Sequence, residues 1–441
     1  MRLHCLVAVG AALVAAAPAQ AKISASKDVS PRGLLVQDSD LAAAGSRSAL
    51  LMSTYPKPPK TATHYTLQAR LGKGTSFEGA QRLADSTGSN EVAVGSDGTA
   101  VAAWTARTTS GVVLRVAIAN PGKTFGSAKT VASAPRLALG GVAVAPSGRA
   151  LVVFTRATQV QVSIRKPGHS FGAPVVLGRS RQNTPVAAAA PDGTLAVAWL
   201  DTPSGPLPPP APYVPTPALM LAATLTPTSS TFSAPAELDR LSFWIGGPEA
   251  ASGLGGAAVI WRQTFGVKRM VTVSPGGGFG PVESLEVPFP GAGEGRPDHL
   301  ALGIPASGPA MALWHDVQGI PGDVLKVTSS AVVASRRPPG GTFGATTRVS
   351  ASGWLAGQPY AAVTSNRVVA AWAQAKSGST PRVCIDVSTA TQVGVESLCQ
   401  IAKLVDETSV DVAAGTSYGL VTWIAGRTLR GGRLYLTSYK K

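Results

Sequence analysis

The pattern of apolar and polar positions repeats along most of this chain, and its clearest copy runs from residue 136 to residue 172. The segment Gly141–Phe154 is an apolar run, a Pro-Ser-Gly turn and a second apolar run that ends in an aromatic residue. In Gln159–Gly172, apolar and polar residues alternate, break at a Lys-Pro-Gly turn and resume at Phe171. Period-2 alternation is typical of a half-buried strand. The copy therefore predicts two hairpins, about the length of one β-propeller blade.

Two landmarks of this copy recur along the chain. The first is the apolar hairpin that closes on an aromatic residue, with turns rich in Asp-Gly, Ser-Gly and Gly-Gly, which tolerate a positive φ. Its seven closing residues are Trp104, Phe154, Trp199, Trp261, Trp314, Trp372 and Trp423. The second is a turn followed by Phe, at Phe77, Phe125, Phe171, Phe232, Phe279 and Phe343, with a seventh copy near Gln392 that lacks the Phe. Both landmarks indicate seven blades.

These counts predict an all-β fold: a seven-bladed β-propeller of four-stranded antiparallel blades over residues 64–441. The segment Thr66–Arg82 resembles an outer hairpin without an inner hairpin of its own, and the last inner hairpin, Val412–Trp423, is followed by a single strand. We therefore expect N-terminal strands to complete the last blade and close the ring, with residues 64–85 in the same sheet as residues 412–437.

The N-terminus is interpreted as two segments that precede the fold. Arg2 is followed by an apolar run, Cys5–Ala17, and Ala19-Gln20-Ala21 has the form of a signal-peptidase site, so residues 1–21 are expected to be a signal peptide. Residues 22–63 lack alternation and are interpreted as a poorly ordered leader or tether. The apolar run is shorter than the roughly 20 residues that a spanning helix needs. The expected location is therefore outside the cell or in the cell envelope, without a membrane span.

Two cysteines, Cys384 and Cys399, remain after the expected cleavage. Their positions are symmetrical about a turn near residues 391–392, so they should lie directly opposite each other across a hairpin. Directly opposite residues are close enough for a disulfide, and an exported protein meets an oxidising compartment. The sequence therefore predicts a disulfide between them.

The chain is basic, with 39 Lys and Arg against 23 Asp and Glu and a formal charge of +16, but only 14% of its residues are charged. It contains no Lys/Arg cluster of five or more, which a dedicated nucleic-acid surface would often show. We expect no nucleic-acid partner. The charge either suits an exported protein or attracts an anionic polymer of the cell surface.

The Phe-containing turns resemble the Asp-box of the bacterial neuraminidase (sialidase) repeat, S-x-D-x-G-x-T-W. The Gly, Thr or Ser and aromatic positions match at Gly340, Thr342 and Phe343, and again in the turns that end at Phe125 and Phe171; the Asp position does not match. The resemblance implies a propeller fold related to glycans, in which this turn is structural. The arginine triad, the Tyr/Glu pair and the Asp acid of a sialidase have no residue-by-residue match.

The candidate ligand-binding residues lie on loops that enter or leave the inner hairpins, where binding residues usually sit. Asp298 and His299 are expected to face His315 and Asp316, with His299 opposite Asp316, and such a set could bind a metal or perform acid/base chemistry, or form a surface hydrogen-bonded cluster. The other candidates are Trp244, Trp354 and Arg262. Gly415–Gly419 matches G-x-S-x-G but falls in a strand-to-strand turn, where a nucleophile elbow does not form. No metal motif and no cofactor signature occur.

The preferred function is a non-catalytic binding module for a glycan or an anionic envelope polymer, and a monomer is expected. A sialidase-like glycan-processing enzyme is the first alternative, and would need an acid/base pair with clustered arginines on the loop-rich face. A structural or protein-interaction propeller is the second alternative. It predicts an apolar or aromatic surface around Trp244 and Trp354 instead of a polar pocket.

Overall fold

A computed structural model describes residues 22–56, 65–85, 88–180, 184–201, 218–241, 247–264, 267–286, 300–320, 323–376, 382–387, 396–401, 410–428 and 431–440. These residues form antiparallel strands and turns. None of them forms a helix that is long and apolar enough to cross a membrane.

The strands follow one another in blade-like units along the chain. Two short strands come first, β1 (Lys22–Ile23) and β2 (Lys27–Asp28). Blade 1 contains β3 (Leu34–Ala44), β4 (Arg47–Pro56), β5 (Thr66–Lys73), β6 (Ser76–Phe77) and β7 (Gln81–Ala84). Blade 2 contains β8 (Asn90–Val94), β9 (Ala100–Thr108), β10 (Gly111–Ala119) and β11 (Lys129–Ala134). Blade 3 contains β12 (Leu137–Val144), β13 (Ala150–Arg156), β14 (Gln159–Arg165) and β15 (Val175–Arg179). Blade 4 contains β16 (Val186–Ala189), β17 (Leu195–Asp201), β18 (Ala218–Leu225) and β19 (Ala236–Leu241).

The second half continues the same order. Blade 5 contains β20 (Glu249–Gly253), β21 (Gly256–Thr264), β22 (Val267–Val273) and β23 (Glu283–Glu286). Blade 6 contains β24 (Leu300–Gly303), β25 (Ala310–Ile320), β26 (Asp323–Arg337) and β27 (Thr347–Arg348). Blade 7 contains β28 (Leu355–Ala356), β29 (Tyr360–Val363), β30 (Val368–Ala375), β31 (Arg382–Val387) and β32 (Glu396–Ile401). Blade 8 contains β33 (Val410–Ala414), β34 (Tyr418–Thr428) and β35 (Gly431–Lys440).

The described strands make seven hydrogen-bonded sheets, the number of blades that the sequence predicts, but one of these sheets is double. That sheet has ten strands and joins blade 8 to blade 1 through the single pair Val36 and Gly432. Within the described residues, eight innermost strands surround the axis, and each contacts the next: β3, β8, β12, β16, β20, β24, β29 and β33. The predicted antiparallel propeller is confirmed, and its ring comprises eight blades because the double sheet contains two.

The additional blade lies where the sequence analysis expected a poorly ordered leader over residues 22–63, and that interpretation is wrong for the described part, residues 22–56. Leu34–Ala44 and Arg47–Pro56 form the inner hairpin that the segment Thr66–Arg82 lacked. The hairpin escaped notice because its closing residue is Met52, which is fully buried where Trp104 lies in the next blade. An unbranched Met fills such a core position without the aromatic landmark.

Closure of the ring by N-terminal strands is confirmed, and the register identifies the strands. Lys22 and Ile23 pair with Lys440 and Tyr439, and Lys27 pairs with Leu436, so β1 and β2 form the outer edge of blade 8. Residues 66–84 belong to the same ten-stranded sheet, as predicted, but one blade further along. The chain ends thus hold each other in place.

The predicted landmarks have a structural role. All seven aromatic closing residues are at most 3% exposed and lie in the apolar layers between blades. The turn glycines Gly98, Gly148 and Gly193 have φ near +80° to +90°, as the tight turns require. Gly178 has a different reason for being glycine, because an added Cβ would lie 2.8 Å from the Trp199 ring. The core of this protein is therefore the set of layers between neighbouring blades.

Candidate functional site

A row of acidic side chains joins neighbouring blades beside the axis. Asp411 Oδ2 accepts a 2.6 Å hydrogen bond from Leu41 N, across the junction of blades 8 and 1. Asp40 Oδ2 accepts one from Val92 N in blade 2, and Glu91 accepts one from the backbone of Val142 in blade 3. Each acid lies on an innermost strand and accepts from the backbone of the next innermost strand, which a propeller otherwise leaves unpaired.

Burial changes the acidity of this row. Loss of hydration, with a smaller contribution from neighbouring carboxylates, raises the pKa of Asp40 to about 7 and the pKa of Glu91 to about 8. The same two causes raise the pKa of Asp411 well above its usual range. The backbone N–H donors oppose the shift without cancelling it. The row therefore holds protons at pH values where ordinary carboxyl groups are ionised.

A central channel of about 510 Å³ runs along the axis past this row. Its wall comes from the innermost strands and is mostly Ala and Val, because side chains facing the axis must be small where the strands converge. Ser96 and Ser252 are the hydroxyl-bearing residues of this lining. The residues that line the channel carry no ionisable side chain, so its wall is apolar apart from the two serines.

A second set of contacts between blades lies on the opposite face, where guanidinium groups bind turn carbonyls. Arg47 of blade 1 donates to the carbonyls of Gly98, Asn120 and Lys123 in blade 2. Arg149 of blade 3 donates in the same way to three carbonyls of the outer turn of blade 4. These arginines fasten the outer hairpin of one blade to the inner hairpin of the preceding one.

The junction between blades 2 and 3 departs from this arrangement. Thr99 takes the place of the cross-blade arginine, and Arg165 of blade 3 binds the carbonyls of Gly148 and His169 within its own blade. A surface groove of about 530 Å³ lies at this junction. Its lining combines one edge strand of blade 2 with the outer turn of blade 3, and includes Lys129, Thr130, Arg165, His169, Ser170 and Phe171.

The predicted His/Asp set is only partly within the described residues, because Asp298 and His299 lie outside them. His315 is 8% exposed and shares a strand face with Leu313, which packs against blade 7. Burial raises the pKa of Asp316, and Arg348 opposes that change. The predicted register is wrong by one residue, since Leu300 lies opposite Trp314. His315 therefore points into the packing between blades, and a ligand role for this set stays a prediction.

The remaining candidates are placed as follows. Trp354 is half-exposed, and the guanidinium carbon of Arg382 lies 4.9 Å from its ring centroid, within range of a cation–π contact. Arg262 lies on β21 opposite Lys268, but its side chain is outside the described residues, as is Trp244. The structure thus brings none of these residues together with His315 in one described pocket.

Three further predictions concern cysteines, the Ser motif and metals. Cys384 and Cys399 are direct partners across β31 and β32, so the predicted register is confirmed, and the disulfide stays a prediction. Residues 415–417 form the turn between β33 and β34, which is not the setting of a nucleophile elbow. Within the described part of the chain, no group of three or more His, Cys, Asp or Glu could hold a metal ion.

Sequence reasoning missed both rows of contacts between blades, although the signals are present. An acidic residue precedes the apolar run in Asp40-Leu41-Ala42, Glu91-Val92-Ala93 and Asp411-Val412-Ala413. Glu249 has the same position in blade 5, and its Oε2 accepts from Leu300 N at 3.3 Å. The pattern escaped notice because Asp40 fell in the segment interpreted as a leader.

Comparisons with known proteins concern the fold alone. No family model matches this sequence, and no curated protein matches it. Among solved structures, the polysaccharide lyase Uly1 is 7% identical, with 78% of this chain and 88% of that chain covered and a TM-score of 0.48. The NanB sialidase from Streptococcus pneumoniae is 9% identical, with 94% of both chains covered and a TM-score of 0.40. An α-L-arabinanase from Penicillium chrysogenum is 12% identical, with 68% and 93% covered and a TM-score of 0.38. Likeness at this level carries no argument about activity.

Proposed function

We propose that this protein is an exported, non-catalytic binding module for an anionic glycan or a similar polymer of the cell envelope or the extracellular space. The observation that carries the proposal is the distribution of charge. The chain has a formal charge of +16, and many of the acidic side chains that the structure describes are committed to contacts within the fold.

The committed acids are of two kinds. Asp40, Glu91, Glu249 and Asp411 accept hydrogen bonds from the backbone of a neighbouring blade. Others form ion pairs, and these pairs are Asp28–Arg433, Asp85–Arg82, Glu237–Arg240 and Glu283–Arg337. A carboxylate that is protonated or paired contributes little to the field outside the protein. The outward field is therefore dominated by cations.

The lysines are placed to produce that field. With the exception of the buried Lys268, the lysines whose side chains are described are exposed: Lys27, Lys73, Lys123, Lys129, Lys166, Lys376 and Lys440. An exposed ammonium is a mobile, strongly hydrated charge that suits a repetitive anionic partner. Such attraction weakens as ionic strength rises.

Binding is tested with the processed protein on an array of cell-wall and extracellular polysaccharides, both anionic and neutral. We expect retention on anionic polymers that decreases steadily between 50 mM and 500 mM salt, and no retention on neutral dextran. Equal retention on neutral and anionic polymers, or none on either, would overturn the proposal.

A glycan-processing enzyme is the second candidate, and Asp40 and Glu91 favour it. Carboxyl groups whose pKa lies near 7 or 8 have the acidity that general acids of glycosidases use. Both groups, however, accept backbone hydrogen bonds that join blades, which occupies them structurally. Release of reducing ends or unsaturated products that Asp40→Asn and Glu91→Gln both abolish would establish the enzyme and exclude the non-catalytic proposal.

Export is tested through Cys384 and Cys399. A disulfide between these direct partners closes a loop of about 15 residues and contributes roughly 3 kcal/mol in the chain-entropy account. We expect no free thiol from this pair in the unfolded, unreduced processed protein, and a lower melting temperature after reduction. Two free thiols in protein recovered from the oxidising compartment would contradict the bond.

A further inference from the structure

The groove between blades 2 and 3 is built mainly by two stretches, one from each blade. One side is the edge strand of blade 2, from Lys129 to Val131, and the other is the outer turn of blade 3, from Gly168 to Pro174. The groove opens to solvent at Lys129, Thr130, His169 and Ser170, all of which are exposed. Its volume of about 530 Å³ is within the range of small-ligand sites.

The equivalent place between blades 1 and 2 shows why this groove is open. There Gln81, which occupies the strand position of Lys129, donates to the carbonyl of Phe125 at 2.7 Å and accepts from Phe125 N at 3.1 Å. This pair of bonds draws the turn against the strand, and Phe125 is only 4% exposed. Lys129 has no acceptor to offer to Phe171 N, since an ammonium group only donates.

Lys129 is nevertheless held in one place. Its Nζ donates to Ser170 Oγ at 2.9 Å across the groove, so one ammonium group stands at the mouth. Ser170 in turn stands two residues beyond Gly168, whose φ of +76° forms the turn. A lysine that is already held by a hydroxyl partner loses less side-chain entropy when it binds a ligand than a freely moving lysine does.

The inner wall of the groove is rigid and also cationic. Arg165 is 2% exposed, and its guanidinium donates to His169 O at 3.0 Å, to Gly148 O, and to Asn120 Oδ1 at 2.9 Å. The bond to Asn120 crosses from blade 3 to blade 2. The guanidinium is therefore fixed in place, and it adds its charge to the base of the groove.

The lining of the groove combines cationic side chains with hydroxyl groups. It contains no Asp or Glu, and it includes the hydroxyl groups of Ser127, Thr130 and Ser170. The ring of Phe171 is half-buried and lies in the same lining, where it offers apolar surface. A sugar that carries an anionic group has matching features, namely hydroxyl groups, an apolar ring face and a negative charge.

We propose that this groove is the binding subsite for an acidic sugar unit within a polymer, with Lys129 pairing the anionic group. The inference rests on the proposed function and narrows it to one place on the ring. The sugar hydroxyls exchange hydrogen bonds with Ser127, Thr130 and Ser170. The groove thus provides the local recognition that the overall positive charge lacks.

The test compares two charge reversals, Lys129→Glu in the groove and Lys73→Glu on blade 1, in the processed full chain. Both change the net charge equally, and Lys73 is exposed outside the groove. Polygalacturonate supplies carboxylates, dextran sulfate supplies sulfates, and dextran is the neutral probe. We expect Lys129→Glu to weaken binding of an anionic probe about tenfold or more, and Lys73→Glu to weaken it less than about twofold.

Ser170→Ala is a second variant, because it removes the hydroxyl that holds Lys129 and that meets the sugar, without a change of charge. We expect about a twofold to fivefold loss of affinity with an unchanged melting temperature, from the lost hydrogen bonds. Loss with polygalacturonate alone identifies a carboxylated sugar, and loss with dextran sulfate alone a sulfated one. Equal losses in Lys129→Glu and Lys73→Glu would overturn the subsite while leaving the proposed function standing. Absence of binding by the unsubstituted protein would overturn both.

Discussion

The junction between blades 1 and 2 and the junction between blades 2 and 3 have the same design near the axis and different designs at the rim. Near the axis, Asp40 and Glu91 each accept from the backbone of the next blade. The rim here means the outer strands together with the turns on the face opposite the acidic row. There, Gln81 and the cross-blade Arg47 close the first junction. Thr99 and Lys129 occupy the equivalent positions of the second, and a groove remains.

The difference shows that the fold and the surface of this ring are specified by separate residues. Contacts near the axis must recur because the innermost strands converge and their backbone groups need partners. Contacts at the rim can be exchanged, provided that each outer turn keeps a donor for its carbonyls. Blade 3 keeps one through Arg165, which replaces Ala119 of blade 2 at the equivalent strand position. A polar opening can therefore form at one junction without loss of the ring.

The largest effect is expected from Arg165→Met, which removes the donor on which the outer turn of blade 3 depends. The carbonyl of buried Gly148 and the carbonyl of His169 then both lose the guanidinium, whose residue is 2% exposed. We expect a loss of roughly 3 kcal/mol in the free energy of unfolding, measured by urea denaturation.

Arg47→Met is the matched change at the closed junction. Arg47 is more exposed than Arg165, so water can replace part of what it donates. We expect a loss of roughly 1 to 2 kcal/mol. A larger loss for Arg47 than for Arg165 would contradict the assignment of Arg165 as the replacement for the cross-blade arginine.

The propeller fold and its N-terminal closure could be predicted from sequence because turns and buried aromatic residues repeat at regular intervals. Blade 1 could not be recognised by the same landmarks, since Met52 is as fully buried as its aromatic counterparts but is not aromatic. The segment Ser39-Asp40-Leu41-Ala42 does match Asn90-Glu91-Val92-Ala93, so a signal was available in the acidic and apolar positions.

The groove could not be predicted because it depends on which residue of one blade meets a turn of the next. Alternation along a strand gives the face of a side chain but not its partner in another sheet. In the sequence, Lys129 resembles any edge-strand lysine. Its role at the groove becomes clear only when the registers show that it occupies the position of Gln81. His315 shows the converse, because a polar residue that the sequence suggests as a candidate ligand is buried beside the packing between blades, while a ligand role for its set stays a prediction.

The pH dependence of folding stability tests whether the two junctions are alike near the axis, and its expected size lies between those of the other substitutions. The unfolded chain releases carboxyl protons near pH 4, whereas the folded chain holds them to a pKa of about 7 at Asp40 and about 8 at Glu91. Folding is therefore favoured below pH 4 by these groups, and stability is lost as the pH rises from about 4 to about 8. Asp40→Asn and Glu91→Gln should each flatten this decline, by roughly 1 to 2 kcal/mol at pH 8.

Asp28→Asn serves as the control of opposite sign. Burial raises the pKa of Asp28, but hydrogen bonds from Ser30 and Arg433 outweigh that effect and lower it overall. Its contribution to stability is present above pH 4 and is lost as the pH falls, so this variant should be less stable at neutral pH. A flattening by Asp40→Asn without one by Glu91→Gln would show that the junctions differ near the axis as well.

The smallest effect is expected from exchanging the two rim residues. Lys129→Gln places at the open junction the side chain that closes the other one, with an oxygen that can accept from Phe171 N and an amide that can donate to its carbonyl. Gln81→Lys does the reverse and removes the oxygen that accepts from Phe125 N. We expect Gln81→Lys to lower the melting temperature, by roughly 1 kcal/mol of unfolding free energy, and Lys129→Gln to change it by less than about 0.5 kcal/mol. Hydrogen exchange of Phe171 N decides the structural point, since closure should slow it towards the rate of Phe125 N. If Phe171 N exchanges at an unchanged rate in Lys129→Gln, the turn of blade 3 is held open by something other than Lys129. The explanation of the open junction by Lys129 in place of Gln81 would then be wrong.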